Sequence, residues 1–379
     1  MENPNFPTDI MLDILSRLPV KSLCRFRCVS KSWRSLVTDP DFVKIHLNKA
    51  FENVEIFHQR RRLMFSDGSH RSLYSLDLDE FLNHNDAVHN YLDEKENDND
   101  INTNDDDDEA VATELDYIYS EIPNNWVFMV LHCNGLLLCQ LYNWELYLVN
   151  PATRKSKKLP DIPSSSIAYY YFDLFGLGFD HSTDDYKVVD LRYLKGGIMF
   201  IVYTLKTGSW REIQRQYPYK SDLMLHGILV SGGLHWLVNR VRGSSSVIIS
   251  FDLAEEHVQE IPLPCDLVDA KGYIVGVFRQ MLCITRCDGQ THNEFWIMKE
   301  YGVRESWTKV RISMPYSLLL HSGFKRKNHD LLVFKDRLFM YNFNGERFRK
   351  LSVSGFPIVT EVGIYLESLV SPNSCRGEC

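Results

Sequence analysis

Five segments of this chain end alike, and their spacing constrains the fold more than any single motif. VNPATRKSKKL closes at Leu159, YTLKTGSWREI at Ile213, FDLAEEHVQEI at Ile261, KEYGVRESWTKV at Val310 and YNFNGERFRKL at Leu351. Each runs from a strand-like approach through a polar turn to a final aliphatic residue. In four of the five a bulky side chain stands three positions earlier: Trp210, Val258, Trp307 and Phe348, with Ser156 the exception. LYSLDLDEF, Leu73 to Phe81, reads as an earlier member when Asp77 is set against Asn150 and the acidic stretch between them is set aside. A short-strand unit recurring every ~40–50 residues points to β-propeller blades, and the kelch period is close to this.

Hairpin signals inside the repeats agree. LLLCQLYNWELYLVN (Leu136 to Asn150) places two apolar runs around a polar, aromatic turn. ILVSGGLHWLV has Gly232-Gly233 between two runs, a two-residue hairpin signal, and DLLVFKDRLFMYNF repeats the plan around Lys335-Asp336. A β-sandwich would account for the strands but not for the period.

The front of the chain, Phe6 to Leu47, has a different rhythm. Thr8 is expected to cap a helix with Ile10, Met11, Ile14, Leu15 and Leu18 in one continuous stripe, stopped by Pro19. Ser22 is expected to cap a second helix carrying Leu23, Phe26, Cys28 and Val29, and Ser30 or Ser32 a third with Trp33, Leu36 and Val37. Asp39-Pro40 launches a fourth with Phe42, Val43, Ile45 and Leu47. So small a helical unit seldom closes a core alone, and Lys21, Arg25, Arg27, Lys31 and Arg34 surround its apolar residues. An apolar helical surface completed by another protein is the physical inference.

These residues resemble an F-box. Phe6-Pro7-Thr8-Asp9 stands where that family has Leu-Pro-x-Asp/Glu, the departure being Phe for Leu. Ile14-Leu15-Ser16-Arg17-Leu18-Pro19, Ser22-Leu23 and Val29-Ser30-Lys31-Ser32-Trp33 follow its pattern. The resemblance implies docking on the Skp-type adaptor of a Skp–cullin–F-box ubiquitin ligase. It implies that Pro7, Ile10, Leu18, Pro19, Leu23 and Val29 lie at or near that contact and that Trp33 packs the unit against itself. Further on, GLGFDHSTDDYKVVDL, VNPATRKSKKLP, VYTLKTGSWREI, FWIMKEYGVRESWTKV and GIYLESLV resemble the plant F-box-associated interaction domain. That family includes the S-locus F-box proteins of pollen recognition and regulators that promote turnover of immune receptors. It implies a substrate-receptor role without identifying the substrate.

The expected fold is α + β and multidomain: an N-terminal short-helix F-box, then an all-β, propeller-like (kelch-like) domain. The expected division is 1–47 F-box, 48–92 linker and possible first blade, 93–116 acidic disordered insert, 117–370 F-box-associated domain and 371–379 tail. Between Asp93 and Asp116 there are twelve acidic residues and one basic one, Lys95, so the rest of a chain with net charge -8 is slightly positive. EKENDNDINTNDDDDE holds one apolar residue, Ile101, and cannot offset the entropy of ordering. It lacks the spacing of a calcium loop.

Other chemistries find little support. No sustained basic stripe occurs outside Arg60-Arg61-Arg62, so no nucleic acid is expected. No leader or apolar run of spanning length argues for a membrane, and nine scattered cysteines suit a reducing compartment, cytoplasmic and/or nuclear. Cys24/Cys28, Cys283/Cys287 and Cys375/Cys379 are each four apart, and with His292 they supply at most three ligands of a zinc site. No metal and no cofactor is expected. There is no G-x-S-x-G and no phosphate loop; Gly176-Leu177-Gly178 lacks the rest of a dinucleotide fingerprint. His181 beside Asp184 and Asp185 reads as a turn with solvated charges. The tryptophans Trp210, Trp236, Trp296 and Trp307 read as blade packing.

The leading expectation is therefore a non-catalytic receptor, with no catalytic residues, whose partners are a Skp-type adaptor, through it a cullin and a RING subunit, and a protein substrate. Loops Asp161–Tyr171 and Arg215–Met224, with its exposed tyrosines, are the candidate substrate contacts. A scaffold acting outside a ligase and a kelch-like propeller enzyme are the alternatives.

Overall fold

Breaks at Pro19, Ser30, Asp39-Pro40 and Asn53 divide the front of the chain into five helices in this computed structural model. It describes residues 7–67, 72–84, 111–116, 127–141, 144–163, 174–220, 226–243, 245–265, 267, 270, 272–286, 293–312, 324–326, 329–334, 337–342, 347–356 and 359–373. Two units make up the chain, one of Met1–Lys158 with Ser352–Cys379 and one of Leu159–Leu351.

In the first unit the helices are α1 (Thr8–Arg17), α2 (Val20–Phe26), α3 (Lys31–Thr38), α4 (Pro40–Glu52) and α5 (Val54–Gln59). Thr8 and Ser22 do not cap. Pro7 and Pro19 hold the cap positions of α1 and α2 with extended backbone, so Thr8 is the first helical residue and Ser22 lies inside α2. A proline can take this position because the first amides of a helix have no intrahelical acceptor to find. Ser30 does cap α3, accepting from the Trp33 amide at 3.2 Å. Asp39 caps α4 through the Asp41 and Phe42 amides with Pro40 at the first position.

Strands β1 (Arg61–Asp67), β2 (Leu73–Asp77) and β3 (Thr113–Glu114) begin the β structure, followed by β4 (Val127–Cys133), β5 (Leu136–Leu141), β6 (Leu146–Asn150) and β7 (Lys155–Lys158). In the second unit come β8 (Leu174–Asp180), β9 (Asp185–Leu194), β10 (Gly197–Thr204) and β11 (Ser209–Glu212). A five-stranded sheet follows: β12 (Tyr219–Lys220), β13 (Ile228–Val230), β14 (Gly233–Arg240), β15 (Ser246–Asp252) and β16 (Val258–Ile261). Then come β17 (Tyr273–Phe278), β18 (Met281–Arg286), β19 (Asn293–Met298) and β20 (Trp307–Ile312), and β21 (Phe324–Arg326), β22 (His329–Phe334), β23 (Arg337–Asn342) and β24 (Arg347–Leu351). The last strand, β25 (Val359–Leu366), returns to the first unit and pairs with β1 in the order β25-β1-β2-β3. Among the described residues there are thus six antiparallel sheets; four are up-and-down meanders of blade form, one is edged by β25, and in the five-stranded one β12 and β13 both pair with β14.

The sequence repeat maps onto these sheets directly. The closing residues Ile213, Ile261, Val310 and Leu351 lie in or beside the outermost strands β11, β16, β20 and β24, and Leu159 just follows β7. Asp77 and Asn150 both end the third strand of their sheets, as their alignment requires. Both side chains then hold the turn: Asp77 accepts from the Glu80 amide, Asn150 from those of Ala152 and Thr153. Asp252, at the same place in the five-stranded sheet, accepts from Ala254 and Glu255.

Two repeat tryptophans share one bond. Trp210 Nε1 donates to the Pro160 carbonyl and Trp307 Nε1 to the Pro262 carbonyl, each at 2.8 Å. In each case the proline follows the preceding segment's closing aliphatic residue, Leu159 or Ile261.

Consecutive sheets of the second unit share cores. Phe200, Val202 and Val189 pack with Trp236, Ile249 and Phe251, the Phe200 and Phe251 rings lying 4.7 Å apart. Gly176 and Gly178 explain themselves here. A Cβ on Gly176 would come within 2.6 Å of Leu234 Cδ1, and one on Gly178 within 2.4 Å of Leu253 Cδ1. The Gly-Leu-Gly run thus serves close packing of β8.

Some expectations shift. The tight turn before β14 is Ser231-Gly232, both with positive φ (48° and 78°), and Gly233 is already strand. Thr113–Glu114 pairs with β2 and Leu115 is buried, so the first sheet takes residues assigned to the acidic insert. The acidic run 93–110, Lys335-Asp336 and the tail from 374 lie outside the described residues.

Candidate functional site

Helix α1 presents apolar residues in two directions. Met11 and Leu15 turn inward to a core with Val20, Leu23, Val37 and Phe42. Ile10 and Ile14, one turn apart, remain 49% and 47% exposed. The predicted single stripe is wider than the core can take, because neighbouring residues sit about 100° apart around a helix. Pro7 and Pro19 are exposed, as are Val29 and Ile45, so several apolar residues of the front helices stand in solvent. Lys21, Arg25, Lys31 and Arg34 are exposed as well. Six of the eleven exposed large apolar side chains among the described residues fall before residue 55, so the front helices hold most of the uncovered apolar side chains described.

The structure separates the six residues singled out from the sequence. Pro7, Ile10, Pro19 and Val29 are at the surface, Leu18 is half-buried, and Leu23 is fully buried in the helical core. Trp33 packs edge-on against Phe26, ring centres 5.4 Å apart.

The inward face is sealed by the chain itself. Leu369 and Ala152, both from the β part of the first unit, pack into the helical core. Beneath them the buried Arg60 guanidinium gathers the helices. Its Nη2 donates to the carbonyls of Ser16 (2.7 Å) and Leu18 (3.0 Å), and Nη1 donates to the His46 carbonyl (2.7 Å) and meets His46 Nδ1 at 3.2 Å. His46 Nε2 lies 3.0 Å from the Leu18 carbonyl. Since that carbonyl only accepts, Nε2 carries the proton and Nδ1 accepts from Arg60. Burial, with the Arg60 charge adding to it, pulls the His46 pKa down to about 3, so the ring is neutral. Burial lowers Arg60 to about 10, which leaves it charged at the C-terminal end of α1, where a cation is favoured. Arg60's own carbonyl accepts from the Glu367 amide at 2.8 Å, just beyond β25.

The rest of the Arg60-Arg61-Arg62 run is also turned inward. Arg61, 1% exposed, donates to Asp79 and His58; Arg62 pairs with Asp77 and Glu367. Nothing in the local sequence distinguishes such a run from a surface patch. Arg60, His46, Ala152 and Leu369 are thus site-supporting residues that sequence reasoning missed.

Other candidates resolve into structure. His181 and Asp184 are exposed in their turn as expected, whereas Asp185 is buried, as is the neighbouring Asp180. Asp180 accepts from Ser182 and Thr183 and pairs with Lys187 Nζ at 2.8 Å, and these bonds outweigh burial to hold its pKa far below the usual range. Asp185 accepts from the Lys206 amide, tying two turns together. Burial pushes the Cys139 thiol up to about 12 and raises Cys283 further, which suits packed, unreactive thiols. Cys287, His292, Cys375 and Cys379 lie outside the described residues. Tyr217 and Tyr219, expected on an exposed loop, are buried against Phe200 and its neighbours because Tyr219–Lys220 joins β14 as β12. Residues 164–171 and 221–224 of the two candidate loops lie outside the described residues.

Residues 4–45 match the F-box domain family, and residues 92–371 match the F-box associated beta propeller domain. The chain belongs to the F-box associated beta propeller family. It is 28% identical to the F-box protein CPR1 of Arabidopsis thaliana over 98% of this chain and 90% of that protein. An F-box/kelch-repeat protein of the same plant is 27% identical over 97% and 96%. The F-box match therefore falls on the helices with the exposed apolar residues, and the propeller match on the strands from β3 onward.

Proposed function

We propose that this chain is the substrate-recognition subunit of a Skp–cullin–F-box ubiquitin ligase. Its front helices dock the Skp-type adaptor, its β domain holds a protein substrate, and ubiquitination leads to proteasomal degradation. The observation that carries this reading is the division of the front helices: their inward face is sealed by the chain's own Leu369 and Ala152, while Pro7, Ile10, Pro19 and Val29 stay in solvent. Leu18 and Leu23 support that surface from beneath. In this role the chain needs no reacting group of its own. Holding a substrate lysine near a charged ubiquitin-conjugating enzyme raises the effective concentration of the two.

The test is co-purification with a plant Skp-type adaptor, comparing wild type with Ile10→Asp/Val29→Asp. Both positions are exposed, so stability should change by less than about 0.5 kcal/mol. Each carboxylate would be desolvated in the complex, and binding should be lost. Adaptor binding that survives the double charge in a folded variant would sink the assignment of this surface. No binding by folded wild type would sink the ligase reading.

A further inference from the structure

Between the five-stranded sheet and the next lies a pocket of about 320 Å³, large enough for a side chain of a bound partner. Its apolar wall is Val247, Leu263, Leu267 and Ala270. Its polar wall includes Arg240 with Glu260, and Arg304 also lines it. Glu260 is already neutralised: Arg240 Nε reaches it at 3.0 Å and the Tyr219 hydroxyl donates to it at 2.9 Å. Arg304 differs. Its Nε donates to the Leu263 carbonyl at 3.1 Å, which fixes the guanidinium, while no acceptor among the described residues takes its Nη groups. A fixed guanidinium with two open donors matches a carboxylate in bidentate geometry.

A second observation points to the same place. The exposed large apolar side chains of Leu159–Leu351, among the described residues, are Val241, Tyr301 and Val303. Val241 follows Arg240 and Val303 precedes Arg304, so two of the three are chain neighbours of pocket residues; Tyr301 turns its hydroxyl to His235 and Ser250. The exposed apolar residues of this unit thus fall in the same two turns that supply Arg240 and Arg304 to the pocket.

We infer that this pocket receives an apolar side chain of the protein substrate, with an adjacent acidic side chain of the same segment held by Arg304. The inference rests on the substrate-receptor reading above and adds the chemistry of the recognised segment: apolar beside acidic, internal to the partner chain.

The test uses fluorescein-labelled decapeptides of Gly, Ser and Asn carrying Leu-Glu, Leu-Gln, Leu-Lys or Ser-Glu at the centre, titrated with the full chain by anisotropy. Leu-Glu should bind about tenfold tighter than Leu-Lys or Ser-Glu, the scale of one charge-assisted contact. Arg304→Glu, at an exposed position, should reverse the preference to Leu-Lys, a result that general loss of folding cannot produce. Ala270→Phe, which fills the pocket, should abolish binding while adaptor co-purification is kept. Equal binding of all four peptides, or an unchanged preference in Arg304→Glu, overturns the inference. Binding only by a peptide ending in Leu with a free carboxylate overturns the internal-segment assignment. Adaptor capture in the same preparation separates the two readings: capture without peptide selectivity removes the pocket and leaves the receptor standing.

Discussion

Helix α1 and strand β10 both carry many apolar residues, yet they spend them differently. Every residue of β10 from Gly197 to Tyr203 is buried, and Phe200 and Val202 share a core with the five-stranded sheet. α1 buries Met11 and Leu15 and leaves Ile10 and Ile14 in water. The β sheets satisfy themselves; the helices satisfy only the side that the chain can reach. A surplus of apolar surface on one small unit is thus a statement about a partner, whereas the same surplus in the strands is a statement about the fold.

The contrast can be broken most severely at Arg60. Arg60→Met strips donors from three buried carbonyls and from His46, and should cost roughly 5 kcal/mol. Urea unfolding of the variant should show this loss together with loss of adaptor binding. Phe200→Ala strikes the other side, opening a cavity among Trp236, Tyr217 and Phe251, and should cost about 4 kcal/mol. Its signature is an early-melting transition with adaptor capture retained at low temperature.

Acid sharpens the comparison because each unit buries a neutral histidine. Burial lowers His46 to about 3 and His235 to about 4, below the usual 6.5. Unfolded chains therefore bind more protons below pH 6.5, and stability falls as pH drops from there toward 3 and 4 respectively. By pH 5 each ring should cost about 2 kcal/mol. His235→Gln should remove its share of the pH slope, measured as denaturation midpoint against pH, and leave that of His46 intact. The smallest effect is Trp307→Phe. Losing one hydrogen bond to Pro262 should cost about 1 kcal/mol in urea titrations, with adaptor binding untouched.

Much of the fold was readable because it repeats. Trp210 and Trp307, Asp77 and Asn150 recur at fixed places in the pattern, and periodicity survives without knowledge of contacts. The exposed edge of the candidate surface was readable from its dense motif. What could not be read is non-repeating and long-range. Leu23 and Ile10 look alike in sequence, and only packing tells that one is core and the other surface. Arg60 reaches Ser16, 44 residues back, through a bond that leaves no local trace. The buried Tyr217 and Tyr219 follow from β12 joining β14, a pairing two residues long that no propensity would announce.

Pairing of β25 with β1 sets an order in time. During synthesis the helical unit and β1 emerge first, but β1 has no neighbour on that side, and the helical core no Leu369, until the last twenty or so residues of this sequence have left the ribosome. A chain halted before Val359 carries Pro7, Ile10, Pro19 and Val29 and still lacks β25 and Leu369. Completion of the helical core thus waits on a strand and a leucine supplied from far along the sequence.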